Sequence, residues 1–260
     1  MKTERIGVLI ALVILGACRS APVNRTPAAP SKPPHLSATK FTAFGDSITE
    51  GFVQRCPGDA PTENDEDPLR IEPPLAPGRA QPSPTAYPAK LQALLAERYP
   101  AQMITVINEG SGGEDINGGV ANLPPVLTAN APEVLLLLEG INTLNEQHKA
   151  GIPLVVEGLR TMIQEARSRS VKVFAATLLP ERPGGCRAYD YSEDYDNIIE
   201  TNVQIRRMIG TEGAILVDLY EAFNGHTSML IGEDGLHPSA SGYQRIAETF
   251  FDAIKTHLEN

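Results

Sequence analysis

Lys40-Phe41-Thr42-Ala43-Phe44-Gly45-Asp46-Ser47-Ile48-Thr49 is a short apolar run that stops at a glycine and passes into small residues with short oxygen side chains. The run is as long as one buried strand, and Gly45 to Thr49 reads as the turn that leaves it. Met103 to Asn108, Val134 to Leu138, Val171 to Thr177 and Ile215 to Asp218 are similar runs further along the chain. Between and beyond them lie helix-period stretches at Tyr87 to Arg98, Pro153 to Ser168, Asp194 to Ile209 and Ser239 to Leu258. In the last stretch Tyr243, Ile246, Ala247, Phe250 and Ile254 fall on one stripe. Such alternation predicts an α/β fold around a mostly parallel, five-stranded sheet.

Composition agrees with that fold and excludes others. At 260 residues, 42% hydrophobic and 21% charged, the chain has the ordinary balance of a globular protein, as one large domain or two small ones. Its 22 Gly and 22 Pro follow no period, which excludes collagen-like and repeat architectures. A net charge of −10 opposes a phosphate-binding face, and 5% aromatics without Trp leave few stacking platforms, so nucleic acid is not an expected partner. Three Cys make neither a disulfide framework nor, with the His placed as they are, a zinc-finger spacing.

The beginning of the chain carries a separate message. Lys2 and Arg5 precede a twelve-residue run of apolar and small residues, Ile6 to Ala17, and polar, Pro-rich sequence follows at once. That is the anatomy of an export signal, too short for the roughly 20 apolar residues that span a bilayer. Its end, Leu15-Gly16-Ala17-Cys18, resembles the bacterial lipoprotein signal, in which the cysteine becomes the lipidated first residue of the mature chain. An ordinary cleaved signal peptide with an incidental Cys18 is the alternative. Residues 1–17 are therefore expected to be a leader and residues 18–38, with Pro22, Pro27, Pro30, Pro33 and Pro34, an extended tether. Loss of the leader leaves 20 basic against 31 acidic residues, a net −11. Lipid at Cys18, and not a basic surface, would then hold the exported body at a membrane, facing the periplasm or the cell exterior. The folded domain is expected over residues 39–260. Within it Gln54 to Pro84, with eight Pro and the acidic cluster Glu63, Asp65, Glu66 and Asp67, reads as a long loop inserted after the first strand.

Ligands of a parallel α/β sheet bind beyond the carboxyl ends of its strands. Gly45-Asp46-Ser47 follows the first run, Asn108-Glu109-Gly110-Ser111-Gly112-Gly113 the second and Gly140-Ile141-Asn142 the third. Asp234-Gly235-Leu236-His237-Pro238 lies well beyond the fifth. Singly, each has a structural explanation: a helix N-cap, a tight turn, a turn residue, an extended step before the last helix. The glycine cluster is not a dinucleotide fingerprint, because the sixth position counted from Gly110 is Asp115. No Gly-Lys-Ser/Thr phosphate loop and no His-Glu-x-x-His metal motif occurs, so neither cofactor nor metal is expected.

Together the four segments supply the parts of a serine hydrolase. A serine hydroxyl is a weak nucleophile until a base takes its proton; Ser47 is the candidate nucleophile and His237, an imidazole of ordinary pKa about 6.5, the candidate base. Asp234, three residues earlier across a glycine, folds back to the ring Nδ1 and sets the useful tautomer. An N–H of the Gly-rich turn, the Asn142 amide and the Ser47 N–H are the candidate donors to an oxyanion. Glu109, Glu114 and Asp115 read as helix-start residues in preference to a carboxylate pair.

These blocks, in this order, resemble the SGNH hydrolase superfamily, the GDSL esterases and lipases, over about Lys40 to Leu258. The resemblance implies a three-layer α/β/α, flavodoxin-like fold, a triad of Ser47, Asp234 and His237, and an oxyanion hole of Ser47, Gly113 and Asn142. Gly113 is chosen among Gly110, Gly112 and Gly113 by its five-residue spacing from Asn108, and Thr143 stands where the family commonly has Asp. Expected substrates are small-molecule, lipid or glycan acyl esters; the family's short acyl esters, thioesters, lysophospholipids and acetylated sugars leave the class open. A surface binding lipoprotein that keeps the fold without turnover is the alternative. Gln54 to Pro84 and Pro180 to Tyr195 are expected to shape the pocket. In the second, Arg182, Arg187, Tyr189, Tyr191 and Tyr195 either meet a polar leaving group or are solvated. Export to an oxidising compartment makes a disulfide between Cys56 and Cys186 an expectation, with two free thiols as the alternative.

Overall fold

All five apolar runs become strands. The computed structural model describes residues 33–53, 84–188 and 194–260. In it β1 (Lys40–Gly45), β2 (Thr105–Gly110), β3 (Val134–Leu138), β4 (Lys172–Ala176) and β5 (Ile215–Val217) form one sheet in the order β2-β1-β3-β4-β5, every pair parallel. β3 is the middle strand and is buried at every residue, which is why it reads as an unbroken apolar run. β2 begins two residues later than its pattern predicts, because Met103 is 94% exposed, and pairing with β1 carries it on to the rung Gly45↔Gly110. At this edge of the sheet the Gln92 side chain stands in for a neighbouring strand. It donates to Ile104 O at 2.8 Å and accepts from Val106 N at 2.7 Å, which blunts an otherwise adhesive edge.

The helices lie in two layers. α2 (Tyr87–Arg98) packs against α9 (Ala240–Leu258) on one face, with the short α7 (Leu219–Phe223) and α8 (Thr227–Leu230) also against α9, while α3 (Ile116–Asn130), α5 (Gly151–Ser168) and α6 (Asp194–Glu212) pack in series on the other. This is the three-layer α/β/α arrangement. Ser239 caps α9 by accepting the Gly242 N–H at 3.1 Å, and the stripe from Tyr243 to Ile254 is buried along its length. Propensity alone hides α3, since Gly118, Gly119, Pro124 and Pro125 are poor helix formers. Asp115 opens it, accepting the Gly118 N–H at 2.7 Å, and Leu123, Val126 and Leu127 are buried beneath it. A Cβ at Gly119 would come within 3.3 Å of the Glu139 side chain, so the small residues serve close packing against β3's end.

The folded domain includes residues before 39. Leu36, within the stretch expected to be a tether, is 1% exposed, and Gln102 clasps it by accepting its N–H at 2.7 Å and donating to its carbonyl at 3.0 Å. Ser37 N donates to Leu258 O and Asn260 N to His35 O, so the last tether residues are stitched to the end of α9. The leader, Cys18, the rest of the tether, most of the Gln54 to Pro84 segment with Cys56, and Tyr189 and Tyr191 lie outside the described residues. Among the described residues no helix is long and apolar enough to cross a membrane.

Candidate active site

Chain order after β1 sends one crossover to β2 and the next back past β1 to β3, so the crevice at their carboxyl ends is the topological switch point. Gly45 and Leu138 form the last rung there, and a Cβ on Gly45 would lie 1.9 Å from Leu138 O. The chain then turns into the short α1 (Ser47–Glu50), whose N-cap Asp46 accepts the Ile48 N–H at 2.9 Å. Ser47, the first helical residue, is 7% exposed.

Its Oγ lies 2.8 Å from His237 Nε2, and His237 Nδ1 lies 2.5 Å from Asp234 Oδ2. The other Asp234 oxygen accepts the backbone N–H groups of Leu236 at 3.1 Å and His237 at 3.0 Å, which closes the Asp-x-x-His turn on itself. Burial acts to raise the Asp234 pKa. The hydrogen bond and charge of His237, with the two backbone donors, outweigh it and hold the carboxyl below its ordinary range. With the carboxylate ionised, Nδ1 carries the ring proton and Nε2 faces the serine as acceptor.

The 180–188 segment braces this turn from behind: Arg182 N donates to Gly235 O at 2.8 Å and Arg187 N to Asp234 O at 2.7 Å. The Arg182 side chain donates to Ile231 O at 3.5 Å, so it serves the scaffold. Cys186, in the same segment, is disulfide-bonded, while its expected partner Cys56 is outside the described residues.

Backbone accounting separates the three glycines. Gly110 donates its N–H to Asn108 Oδ1 at 2.9 Å and Gly112 donates to the Glu50 carboxylate, leaving the Gly113 N–H open among the described residues. The turn is tied to β1 through Ser111 N, which donates to Gly45 O at 2.8 Å. Asn142 sits in α4 (Ile141–Gln147) and spends one amide N–H on Glu114 O at 2.9 Å, which leaves the second for a ligand. Thr143 Oγ1 accepts the Ile116 N–H at 2.9 Å, so it still joins α4 to the start of α3.

Sequence patterns gave no sign of several residues around this centre. Phe52, 43% exposed, sets its ring edge-on to His237 with centroids 5.0 Å apart, and its carbonyl accepts the Tyr243 hydroxyl at 2.5 Å. Tyr243 had declared itself only as part of a core stripe. Behind Ser47 and Asn142 lie Asp46 and Glu139, each 1% exposed, and Glu114 at 9%. Burial pushes Asp46 up to about 7, with the Glu114 charge adding to it, and raises Glu139 well above the carboxylate range, helped by the charges of Asp46 and Glu114. Glu114 and half-buried Glu50 are also raised, by burial first.

A Ser–His–Asp relay and an Asn-and-glycine turn, both at the carboxyl edge of a 2-1-3-4-5 parallel sheet, define the SGNH hydrolase architecture. The chain belongs to the GDSL-like lipase/acylhydrolase family, whose model matches residues 43–245, and so to enzymes that hydrolyse ester bonds. No curated protein matches the sequence. Among solved structures, a catalytic mutant of the acetylxylan esterase Axe2 from Geobacillus stearothermophilus is similar at 21% identity and TM-score 0.63, covering 85% of this chain and 95% of that one. A lipase/acylhydrolase from Enterococcus faecalis has 23% identity, TM-score 0.61 and coverage of 85% and 97%. LAE5, an α/β hydrolase from the metagenome of Lake Arreo, has 20% identity, TM-score 0.63 and coverage of 85% and 96%. At such identities the likeness is one of fold.

Proposed function

We propose that this protein is an exported serine esterase that hydrolyses carboxylic esters through an acyl-Ser47 intermediate, without metal or cofactor. The observation that carries the reading is the unbroken relay from Ser47 Oγ through His237 to Asp234. Attack of Oγ on the acyl carbon sends the serine proton to Nε2 and the carbonyl π pair to oxygen. The oxyanion meets the N–H groups of Ser47 and Gly113 and the second amide N–H of Asn142. Collapse breaks the bond to the alcohol oxygen, which takes the proton from His237 and leaves. Water then repeats the sequence at the acyl carbon, releasing the carboxylic acid and restoring Ser47. Asp234 stays ionised and stabilises the imidazolium in both halves.

Likeness of fold to an acetylxylan esterase supports acetylated carbohydrates as the first substrate class to test. We place the protein at a membrane through lipid on Cys18. A Cys56–Cys186 disulfide would join the segment beyond Phe52 to the brace behind Asp234.

Labelling with a serine-reactive fluorophosphonate, beside a panel of p-nitrophenyl esters, acyl thioesters, lysolipid and acetylated oligosaccharides, tests the reading. Wild type labels and turns over; Ser47→Ala does neither. A folded Ser47→Ala that hydrolyses the best ester as fast as wild type removes the mechanism, and an unlabelled wild type favours a binding lipoprotein.

A further inference from the structure

Gly45 and Leu138 are the last paired residues of two adjacent parallel strands, so the next residues, Asp46 and Glu139, leave the sheet side by side. Both carboxyls are 1% exposed. Each uses one oxygen on a turn that carries the site: Asp46 Oδ1 accepts the Ile48 N–H behind Ser47, and Glu139 Oε1 accepts the Gly140 N–H, at 3.0 Å, ahead of Asn142. Each leaves the other oxygen, Asp46 Oδ2 and Glu139 Oε2, without a donor. Two buried neighbouring carboxylates cannot both hold their charge, so one of the two keeps its proton.

We propose that Asp46 and Glu139 share a proton and act as positioning residues, clamping the nucleophile turn to the oxyanion turn. The inference rests on the esterase reading for what the two turns do. The groups that face the pair electrostatically are Glu114 and Asp115 from the start of α3, Tyr87 from α2 and Tyr243 from α9. Acidic or neutral as they are, they favour retention of the proton, and no Lys or Arg is paired with either carboxyl among the described residues. Nor does any group of three acidic, His or Cys side chains among the described residues have the geometry to hold a metal ion there. The raised titration of both carboxyls has the same direction. As pH rises and the proton leaves, attraction becomes repulsion, and the clamp opens on its Ser47 and Asn142 sides together.

Glu139→Gln makes position 139 permanently neutral, and its side-chain oxygen can keep the Gly140 N–H. Urea unfolding of the full-length protein from pH 5 to 8 reads the pair without reference to activity. The folded wild type holds a proton that the unfolded chain has lost, so its stability falls with rising pH. The ratio of the Glu139→Gln to the wild-type folding constant should climb by up to about tenfold per pH unit in part of that range. Asp46→Asn, which keeps a cap oxygen for Ile48, should do the same. In steady-state assays Glu139→Ala should lose kcat with little change in KM, Glu139→Gln should restore it, and the fall of wild-type kcat at alkaline pH should be blunted in Glu139→Gln. Parallel stability curves for wild type and both amide variants overturn the shared proton. If the amide variants shift the curves but Glu139→Ala keeps wild-type kcat, the positioning role is overturned; loss of the esterase reading itself would show separately, as turnover in Ser47→Ala.

Discussion

Replacing Asp234 by Asn asks how the relay is wired. Asp234 is fully buried, with Oδ1 taking two backbone N–H groups, at 3.1 and 3.0 Å, and Oδ2 taking the ring Nδ1 at 2.5 Å. Asparagine has one acceptor oxygen for these two tasks. If the oxygen stays with the backbone, the amide NH2 faces Nδ1, the ring proton moves to Nε2, and the base points a proton at Ser47. If the amide flips, the ring keeps its working tautomer but two backbone donors lose their acceptor, at a cost of roughly 1–3 kcal/mol. The working tautomer is then held by about one molecule in six at the low end of that range and about one in 160 at the high end. That minority also lacks the negative charge that stabilises the imidazolium, which brings the expected loss in kcat to about 10³- to 10⁴-fold. Steady-state kinetics on a short p-nitrophenyl ester, with unfolding curves to establish that the variant folds, measures it. Stability supplies a second signature. Because the native Asp234 pKa is lowered, its contribution is present above the ordinary aspartate range and is lost as pH falls through the native value. Asp234→Asn should lack that acid limb. A folded Asp234→Asn within about tenfold of wild-type kcat would refute the wiring.

Asn142→Ala removes one oxyanion donor and leaves the triad whole, so kcat should fall by roughly 10²- to 10³-fold with little change in KM; an equal rise in KM with constant kcat would contradict the role. Cys18→Ser should release the mature protein from membranes despite an unchanged body, and unchanged partitioning, or a mature N-terminus other than Cys18, would remove the lipid anchor. Thiol counting on the folded, unreduced mature protein should find no free thiol from Cys56 or Cys186, and two free thiols would rule out the pairing.

Strand ends were the legible part of this protein. Val134 to Leu138 is buried on both faces and so has no choice of pattern, and each chemistry-bearing segment stands where a strand stops or in a turn rich in short oxygen side chains. Asp234 and His237 were legible because their contact is local, closed by a turn of three residues. Residues whose task depends on distant packing gave no signal. α3 forms over Gly118-Gly119 and Pro124-Pro125 because Leu123 and Leu127 bury beneath it, a tertiary gain that propensity does not see. Phe52 meets His237 across 185 positions of chain, and Gln92 meets the β2 edge through a side chain that mimics backbone. Leu36 stands among Pro-rich neighbours in the sequence, although its partners are Gln102 and the chain's last residues. Thr143 looked like a loss beside the family's Asp, yet one hydroxyl oxygen suffices to hold the Ile116 N–H.

Counting acids around Ser47 misjudges the field in which the reaction runs. Asp46, Glu114, Glu139 and Asp234 stand near the nucleophile, and four ionised carboxylates would oppose a reaction that makes negative charge twice, first as the oxyanion and then as the carboxylate product. Burial does not separate them, since Asp234 at 0% and Asp46 at 1% exposure are equally removed from water and are driven in opposite directions. The supply of donors does. Asp234 accepts two backbone N–H groups and a ring nitrogen that becomes cationic during catalysis. Asp46 and Glu139 accept one N–H each and leave their other oxygens bare. Charge is thereby kept on the far side of His237, where it stabilises the imidazolium, and withdrawn from behind the Ser47 and Asn142 turns, where it would repel the oxyanion. The distribution of N–H donors along the strand ends, more than the number of acidic residues, decides where this site is negative.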